Sequence, residues 1–226
     1  MTITLMFPNK IPLCFYHSAD LDGKCSAAVV NYYYVKNISG DYRKPVNFFP
    51  INYGDKFPWD LVNNHDVFMV DFSLQPYLDM IKLNKVSNLI WIDHHETAIE
   101  ENLKNGELIK GLCKVGYSGC ELTWKFLFPS DDIPLSISLL GRYDVWDMGS
   151  NFCWETIILP FQYGIRTYNT SPSNDILWNS ILEDDSLVFD CVNTGNFIIS
   201  YQNKENKLCL DQISFSLEWE GLKCCV

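Results

Sequence analysis

Short apolar runs alternate with helical patterns over residues 1–145. The helical pattern is clearest in DGKCSAAVVNYYYV (22–35), and it returns from Gln75 to Leu83 and from Glu96 onward. This alternation is typical of a parallel sheet with helices on both faces, so we predict an α/β fold. Pro50 weakens one of the strand assignments, because proline cannot donate to a sheet ladder. The runs assigned to strands are PLCFYH (12–17), VNFFPIN (46–52), DVFMVDF (66–72) and NLIWID (88–93).

The second half of the chain has a different pattern. Helical apolar spacing predicts helices over residues 118–128, 133–144 and 174–184. The final segment, KLCLDQISFSLEWEGLKCCV (207–226), alternates like a pair of strands. The Trp and Tyr residues of this half are interpreted as core, so they receive no role in a site.

The length of the chain bounds its domain organisation. A chain of 226 residues fits one large domain, or one domain with a small appendage. We predict a domain over residues 1–190, with an α/β core at 12–115 and a helical part at 116–190. Residues 191–226 are predicted to form a linker helix and a short C-terminal β stretch.

Charge and cysteine content exclude several classes of protein. The net charge of −11 argues against long duplex nucleic acid as a partner, because such binding rests on clustered Lys and Arg. We find no apolar segment long enough to span a membrane and no signal peptide. The nine cysteines are an odd number without CxxC spacing, which predicts a reduced chain in the cytoplasm.

Acidic residues and histidines follow the predicted strands. In an open parallel sheet, the carboxyl ends of neighbouring strands meet at one crevice, so these side chains are expected to converge. Unneutralised, such a cluster would repel itself, and divalent cations remove that cost. The mixture of carboxylate and imidazole favours two ions, Mn²⁺ or else Mg²⁺, over a thiolate-type zinc site. The residues concerned are His17, Asp20, Asp22, Asp71, Asp93, His94 and His95.

The chain resembles the DHH phosphoesterase superfamily over about residues 12–147. That group includes RecJ-type nucleases, nanoRNA and cyclic-dinucleotide phosphodiesterases, and family II pyrophosphatases. The four segments that match the motifs of this superfamily, in order, are HSADLDGKCSAA, DVFMVDF, IDHHET and GRYDVWD.

The resemblance implies two metal-ligand sets that share one bridging carboxylate, Asp71. One set would be His17, Asp20 and Asp71. The other would be Asp22, His94, Asp144 and the same Asp71. Asp147 could replace Asp144 if the register of the last motif is misjudged, because the two lie about one helical turn apart.

Asp93 and His95 are the predicted catalytic residues outside these ligand sets. Asp93 would fix the tautomer of His94 or the shape of the loop. His95 would contact a phosphate oxygen or assist the leaving group. The nucleophile implied by the resemblance is water activated by the metals, so no Ser or Cys nucleophile is required.

Three further residues are candidates for substrate binding, and each has a competing interpretation. Arg142 could bind a phosphate, but a salt bridge to a nearby acid is an equal alternative. Ser118 and Gly119 could offer N–H groups to an anion at a helix start, although an ordinary helix cap is favoured.

The chain departs from the superfamily at its end. Typical members carry a second, DHHA1 domain with a Gly-rich GGGH-type stretch that binds substrate, and no such stretch occurs here. The final stretch ISFSLEWEGLKCCV (213–226) is similar to the opening strands of that domain, so residues 191–226 are expected to be a linker helix and the start of a truncated DHHA1-like domain. Truncation, completion by another subunit as in a homodimer, and loss of turnover are the alternatives. The predicted function is metal-dependent hydrolysis of a phosphoester in a small nucleotide or short oligonucleotide. Pyrophosphatase action and a non-catalytic nucleotide- or partner-binding remnant are the alternatives.

Overall fold

The computed structural model describes residues 5–41, 45–149 and 152–225, and within them it contains a five-stranded parallel sheet. The strand order is β2-β1-β3-β4-β5, and every neighbouring pair is parallel. This arrangement confirms the predicted α/β class. The strands are β1 (Leu13–His17), β2 (Asn47–Ile51), β3 (Asp66–Val70), β4 (Asn88–Asp93) and β5 (Lys110–Cys113).

Helices surround the sheet and continue beyond it. The α-helices are α1 (Leu21–Tyr34), α2 (Trp59–Val62), α3 (Leu78–Val86), α4 (Glu96–Asn105), α5 (Gly119–Leu127), α6 (Leu135–Asp144), α7 (Leu159–Ile165), α8 (Asp175–Glu183) and α9 (Ser186–Ile213). Two π-helical segments, Val35–Ser39 and Trp154–Ile158, extend α1 and precede α7. An antiparallel pair, β6 (Ser216–Trp219) and β7 (Leu222–Cys225), follows α9.

Both faces of the sheet are buried, because successive side chains of a strand point to opposite sides. On β1, Cys14 and Tyr16 pack with the core that includes α1, α5, α6 and α7, while Leu13 and Phe15 pack with the core that includes α3. The strands are therefore almost continuously apolar, as expected for a parallel sheet covered on both faces. None of the helices in the described part of the chain is long and apolar enough to cross a membrane.

The C-terminal part differs most from the sequence prediction. Residues 207–213 were predicted as strand, but they lie in α9, which runs to Ile213 before the hairpin begins at Ser216. The boundary predicted at residue 190 falls inside this same helix. The first half of α9 packs closely on α7, since added Cβ atoms at Gly164 and Gly195 would each lie 1.8 Å from a backbone oxygen of the other helix. That contact makes the start of α9 part of the main fold.

Smaller differences lie within the sheet region. Strand β5 was not predicted, because KGLC is short and contains a glycine, which is unusual inside a strand. In the structure, Gly111 lets β5 approach β4, since an added Cβ would lie 1.7 Å from the backbone oxygen of Trp91. Helix α3 begins at Leu78, three residues later than Gln75, because residues 71–77 form the loop that leaves β3.

Candidate metal centre

The predicted acids and histidines meet at the carboxyl edge of the sheet. His17 ends β1, Asp71 directly follows β3, and His94 directly follows β4. Because β1, β3 and β4 are adjacent in the sheet, their ends face one crevice. Helix α1 begins at the same edge, where the Asp20 side chain caps it by accepting a hydrogen bond from the Gly23 N–H at 3.0 Å.

His17, Asp20 and Asp71 form the first group of potential ligands. His17 Nδ1 lies 3.0 Å from Asp20 Oδ2 and 3.7 Å from Asp71 Oδ2. One ligand atom from each of the three residues lies within 4.8 Å of the other two, which is close enough to surround one cation.

His94 is the centre of the second group. Its Nε2 atom lies 3.1 Å from Asp71 Oδ1, 3.5 Å from Asp144 Oδ2 and 3.8 Å from Asp22 Oδ2. Asp22, His94 and Asp144 satisfy the same 4.8 Å criterion, and so do Asp71, His94 and His95. Asp71 thus directs one carboxylate oxygen to each histidine, as a bridging ligand requires.

Asp71 itself is unusually placed. It is only 1% exposed, and its backbone φ of +52° lies in the left-handed region, which is uncommon outside glycine. Its Oδ1 atom is buried and accepts no hydrogen bond of normal geometry. His94 Nε2 lies 3.1 Å from this atom but outside hydrogen-bond geometry, and a buried carboxylate oxygen that is not fully satisfied is costly in a folded protein. A cation at this position would remove that cost.

Asp22 is held by the start of helix α5. Its two carboxylate oxygens accept hydrogen bonds from the Gly119 N–H at 2.6 Å and the Cys120 N–H at 2.8 Å. Gly119 lies so close that an added Cβ would be 2.6 Å from Asp71 Cβ and 3.0 Å from Asp22 Oδ2. A glycine at this position lets α5 approach the two carboxylates.

The electrostatics of the cluster are those of crowded acids partly neutralised by histidines. Burial, and then repulsion from Asp71, raises the pKa of Asp144 to about 6 and raises that of Asp22 well above its ordinary value. Burial alone would raise the pKa of Asp71, but the neighbouring His17 and His94 outweigh burial and lower it.

The histidines show the reciprocal effect. The contacts of His17 with Asp20 and then Asp71 raise its pKa to about 10. Burial opposes protonation of His94, yet Asp71 and the other nearby carboxylates raise its pKa to about 9. Without a metal, protonated histidines therefore supply the positive charge at this edge of the sheet.

Asp93 lies behind the cluster and positions the loop. Its Oδ1 atom accepts hydrogen bonds from the His95 ring Nδ1–H at 2.6 Å and from the His94 and His95 backbone N–H groups at 2.8 and 3.2 Å. The side chain is fully buried, so Asp93 would act through the loop and the His95 ring and not by touching a substrate. Its ring partner is His95 and not His94, while its hydrogen bonds to the two backbone N–H groups agree with the alternative role of fixing the loop.

The three substrate-binding candidates already have partners within the protein. Ser118 is the N-cap of α5 in a capping box with Glu121, and the Gly119 N–H is used by Asp22. Arg142 lies 2.9 Å from Asp147 and 3.2 Å from Glu121. These contacts match the capping and salt-bridge alternatives. Since Asp147 is paired with Arg142, Asp144 is the better ligand candidate of the two.

Sequence reasoning missed two contributions to the site. Gly119 was considered as an anion binder or as part of an ordinary helix cap, and nothing in the sequence shows how near α5 comes to the carboxylates. Tyr53, in the loop after β2, was not considered, yet its ring centroid lies 6.0 Å from that of His17 and 6.4 Å from that of His95. The rule that parallel strands end at one edge of the sheet could have placed Tyr53 here, since it directly follows the strand predicted over residues 46–52.

Comparison with known proteins gives one sequence relative of note. Over 202 residues the chain is 27% identical to a protein of Acanthamoeba polyphaga mimivirus that is described as uncharacterised. The match covers 86% of this chain but 45% of that protein, so the chain spans less than half the length of the relative. No family model matches the sequence, and no solved structure matches it.

Proposed function

We propose that this protein is a metal-dependent phosphohydrolase that cleaves a P–O bond in a small nucleotide or short oligonucleotide. The observation that carries the proposal is the position of Asp71 between His17 and His94. Its buried Oδ1 lies 3.1 Å from His94 Nε2 without a hydrogen bond of normal geometry. A residue that bridges two ligand groups is a feature of two-metal hydrolytic centres.

The donor set fits two oxygen-preferring dications. One would be held by His17, Asp20 and Asp71, and the other by Asp22, His94, Asp144 and the same Asp71. Four carboxylates carry a formal charge equal and opposite to that of two dications, and imidazole with carboxylate suits Mn²⁺ or Mg²⁺. When bound, such a pair activates water and stabilises the attacking and leaving oxygens of a phosphoryl centre.

His95 and Asp93 supply the proton chemistry in this proposal. The Nδ1–H group of His95 donates to Asp93 Oδ1, which fixes the tautomer of the ring and raises its pKa. A third of the His95 side chain is exposed, so it can reach a bound phosphate. The raised pKa favours a ring protonated on both nitrogens, and as water adds to phosphorus and the P–O bond breaks, His95 would give its Nε2 proton to the departing oxygen and keep its Nδ1–H on Asp93.

The test is hydrolysis of bis-p-nitrophenyl phosphate by the purified chain with Mn²⁺ or Mg²⁺. We expect activity that Asp71→Ala and His94→Ala abolish. The matched controls are Asp211→Ala, on the exposed end of α9, and His65→Ala, in the loop before β3, and neither should change the rate. Metal analysis of the same samples should give two ions per chain for the wild type.

Other substrates separate the alternatives. Release of phosphate from pyrophosphate, without action on diesters or short RNA, would identify the pyrophosphatase alternative. Metal binding without turnover of any of the three substrates would identify a non-catalytic remnant. A wild-type chain that binds no metal would refute the proposal itself.

A further inference from the structure

A cavity lined by two cationic side chains opens beside the candidate metal centre. It has a volume of about 170 Å³ and lies between the start of α1 and the end of α7. Lys24 and Arg166 provide its positive charge, Thr170 provides a hydroxyl, and the metal-ligand candidate Asp20 forms part of its wall. The cavity therefore shares a residue with the metal centre and extends it toward the helical half of the protein.

Neither Lys24 nor Arg166 forms an ion pair with a carboxylate of the described residues. Among the described residues, the ion pairs of Lys and Arg with carboxylates involve Lys36, Lys85, Lys104 and Arg142. Arg166 donates one hydrogen bond to the Gln162 carbonyl at 3.3 Å, which leaves most of its guanidinium donors available. In a chain of net charge −11, two such cations beside one cavity form a local site for an anion.

An aromatic surface adjoins the same side of the metal centre. The rings of Tyr143, Trp146 and Trp154 stack nearly parallel, with centroids 5.5 to 6.3 Å apart and interplanar angles of 9° to 24°. Tyr143 directly precedes the ligand candidate Asp144. Arg166 connects this surface to the cavity, because its Cζ atom lies 5.7 Å from the Tyr143 ring centroid.

Trp146 is the exposed member of this stack. Its side chain is 68% exposed, and its backbone has a φ of +53°, a conformation that costs energy for a residue other than glycine. A large apolar ring held in this way presents a free aromatic surface to solvent. Stacking on such a surface is how proteins bind nucleobases without sequence preference.

We infer that the cavity between Lys24 and Arg166 binds a phosphate group that the metal centre does not cleave, and that Trp146 stacks on the base of the same nucleotide. The ligand is thus a nucleotide with a second phosphate, such as a 5′-phosphorylated dinucleotide. This inference rests on the proposed function for the cleaved phosphate, whereas the binding of the second phosphate and of the base does not depend on turnover.

Binding is measured with a probe that cannot be hydrolysed at its linking group. A 5′-phosphorylated diadenylate with a methylphosphonate linkage keeps the terminal phosphate and both bases, and the same compound without the 5′-phosphate is its control. By calorimetry, Arg166→Ala should weaken binding of the phosphorylated probe at least about 10-fold, the effect of losing a charge-assisted contact. Trp146→Ala should weaken binding of both probes about 5-fold or more, the effect of one lost stacking contact.

The chain provides matched control variants. Trp219 is as exposed as Trp146, at 68%, and Lys204 is exposed on α9, so Trp219→Ala and Lys204→Ala should leave both affinities unchanged. Arg166→Lys, which keeps the charge, should recover part of the lost affinity. The hydrolysis rates give a further test. Wild type should have a higher kcat/KM for the 5′-phosphorylated natural dinucleotide than for the unphosphorylated one, and Arg166→Ala should bring the ratio of the two kcat/KM values close to one.

The outcomes separate the inference from the proposed function. Probe binding that depends on Arg166 and Trp146, without hydrolysis of any diester, would support the subsite and refute the proposed function. Hydrolysis with no preference for the 5′-phosphate, and with equal probe affinities in Arg166→Ala and Lys204→Ala, would refute the subsite and leave the proposed function standing. Failure of the wild type to bind the phosphorylated probe also refutes the subsite.

Discussion

Gly119→Ala is the substitution that most directly tests how the carboxylates are held. The added Cβ would lie 2.6 Å from Asp71 Cβ and 2.9 Å from Asp71 Oδ1. Carbon atoms that are not bonded normally lie about 3.5–4.0 Å apart, so either α5 or Asp71 must move by about 1 Å. Movement of α5 would also disturb the hydrogen bonds from its first N–H groups to Asp22.

Helix propensity and packing predict opposite signs for this substitution. Replacing glycine by alanine in a helix interior stabilises by about 0.8–1.0 kcal/mol, which is an upper bound for Gly119 because it is the first residue of α5. Overpacking a buried contact costs about 1–3 kcal/mol, so we expect a net loss of about 1 kcal/mol from the free energy of unfolding. A displacement of about 1 Å at the ligands should lower the rate of diester hydrolysis about 100-fold.

The assay is thermal unfolding of wild type and Gly119→Ala, each with excess EDTA and with excess Mn²⁺, followed by hydrolysis of bis-p-nitrophenyl phosphate. Gly149→Ala is the control, because the nearest atom to its added Cβ is Asp147 Oδ1 at an ordinary 3.7 Å. If Gly119→Ala is at least as stable as wild type, with the same metal-dependent stabilisation and activity, the close approach of α5 plays no part in forming the site.

Three further measurements test the centre. Mn²⁺ at about 100 times its Kd should raise the free energy of unfolding by about 2.7 kcal/mol per site, and this gain should fall in Asp71→Asn. With EDTA, stability should decrease as the pH rises from 7 to 10, because native His17 and His94, with pKa values of about 10 and 9, keep protons that unfolded histidines have lost. Thermal melts across this range check the sign, and a flat or rising profile would contradict it. Asp93→Asn should slow diester hydrolysis about 10- to 100-fold and shift the pH–rate profile set by His95, while an effect on stability alone would indicate a purely structural role.

The architecture of the sheet could be predicted because its strands carry strong local signals. NLIWID and DVFMVDF are continuous apolar runs, and they form the buried strands β4 and β3 with nearly the predicted bounds. Strand β5 has no such signal, and it forms because its backbone pairs with β4. The helical state of residues 207–213 was also missed, since alternation over a few residues does not outweigh the continuation of a long helix.

The positions of the ligand candidates could be predicted from topology, whereas their geometry could not. The placement of Asp71 and His94 follows from the rule that parallel strands end at one edge. The exposure of Trp146 was misjudged, because aromatic residues are usually buried and no local pattern marks a left-handed residue after α6. The role of Gly119 depends on an approach between segments about a hundred positions apart in the sequence, and the sequence carries no signal for it.

A purely structural network is the strongest rival interpretation of the acid cluster, since His17 and His94 can neutralise it with protons alone. Such a network is expected to satisfy its buried polar atoms, because a partly satisfied one is worse than an apolar core. Asp71 Oδ1 remains buried, and His94 Nε2, although 3.1 Å away, does not give it a hydrogen bond of normal geometry. Asp71 also has a left-handed backbone. Asp20 and Asp144, at the outer side of the cluster, keep 38% and 23% of their side chains exposed. An inner oxygen without a hydrogen bond of normal geometry, together with accessible outer carboxylates, favours a cation entering from solvent over a closed network of histidine protons.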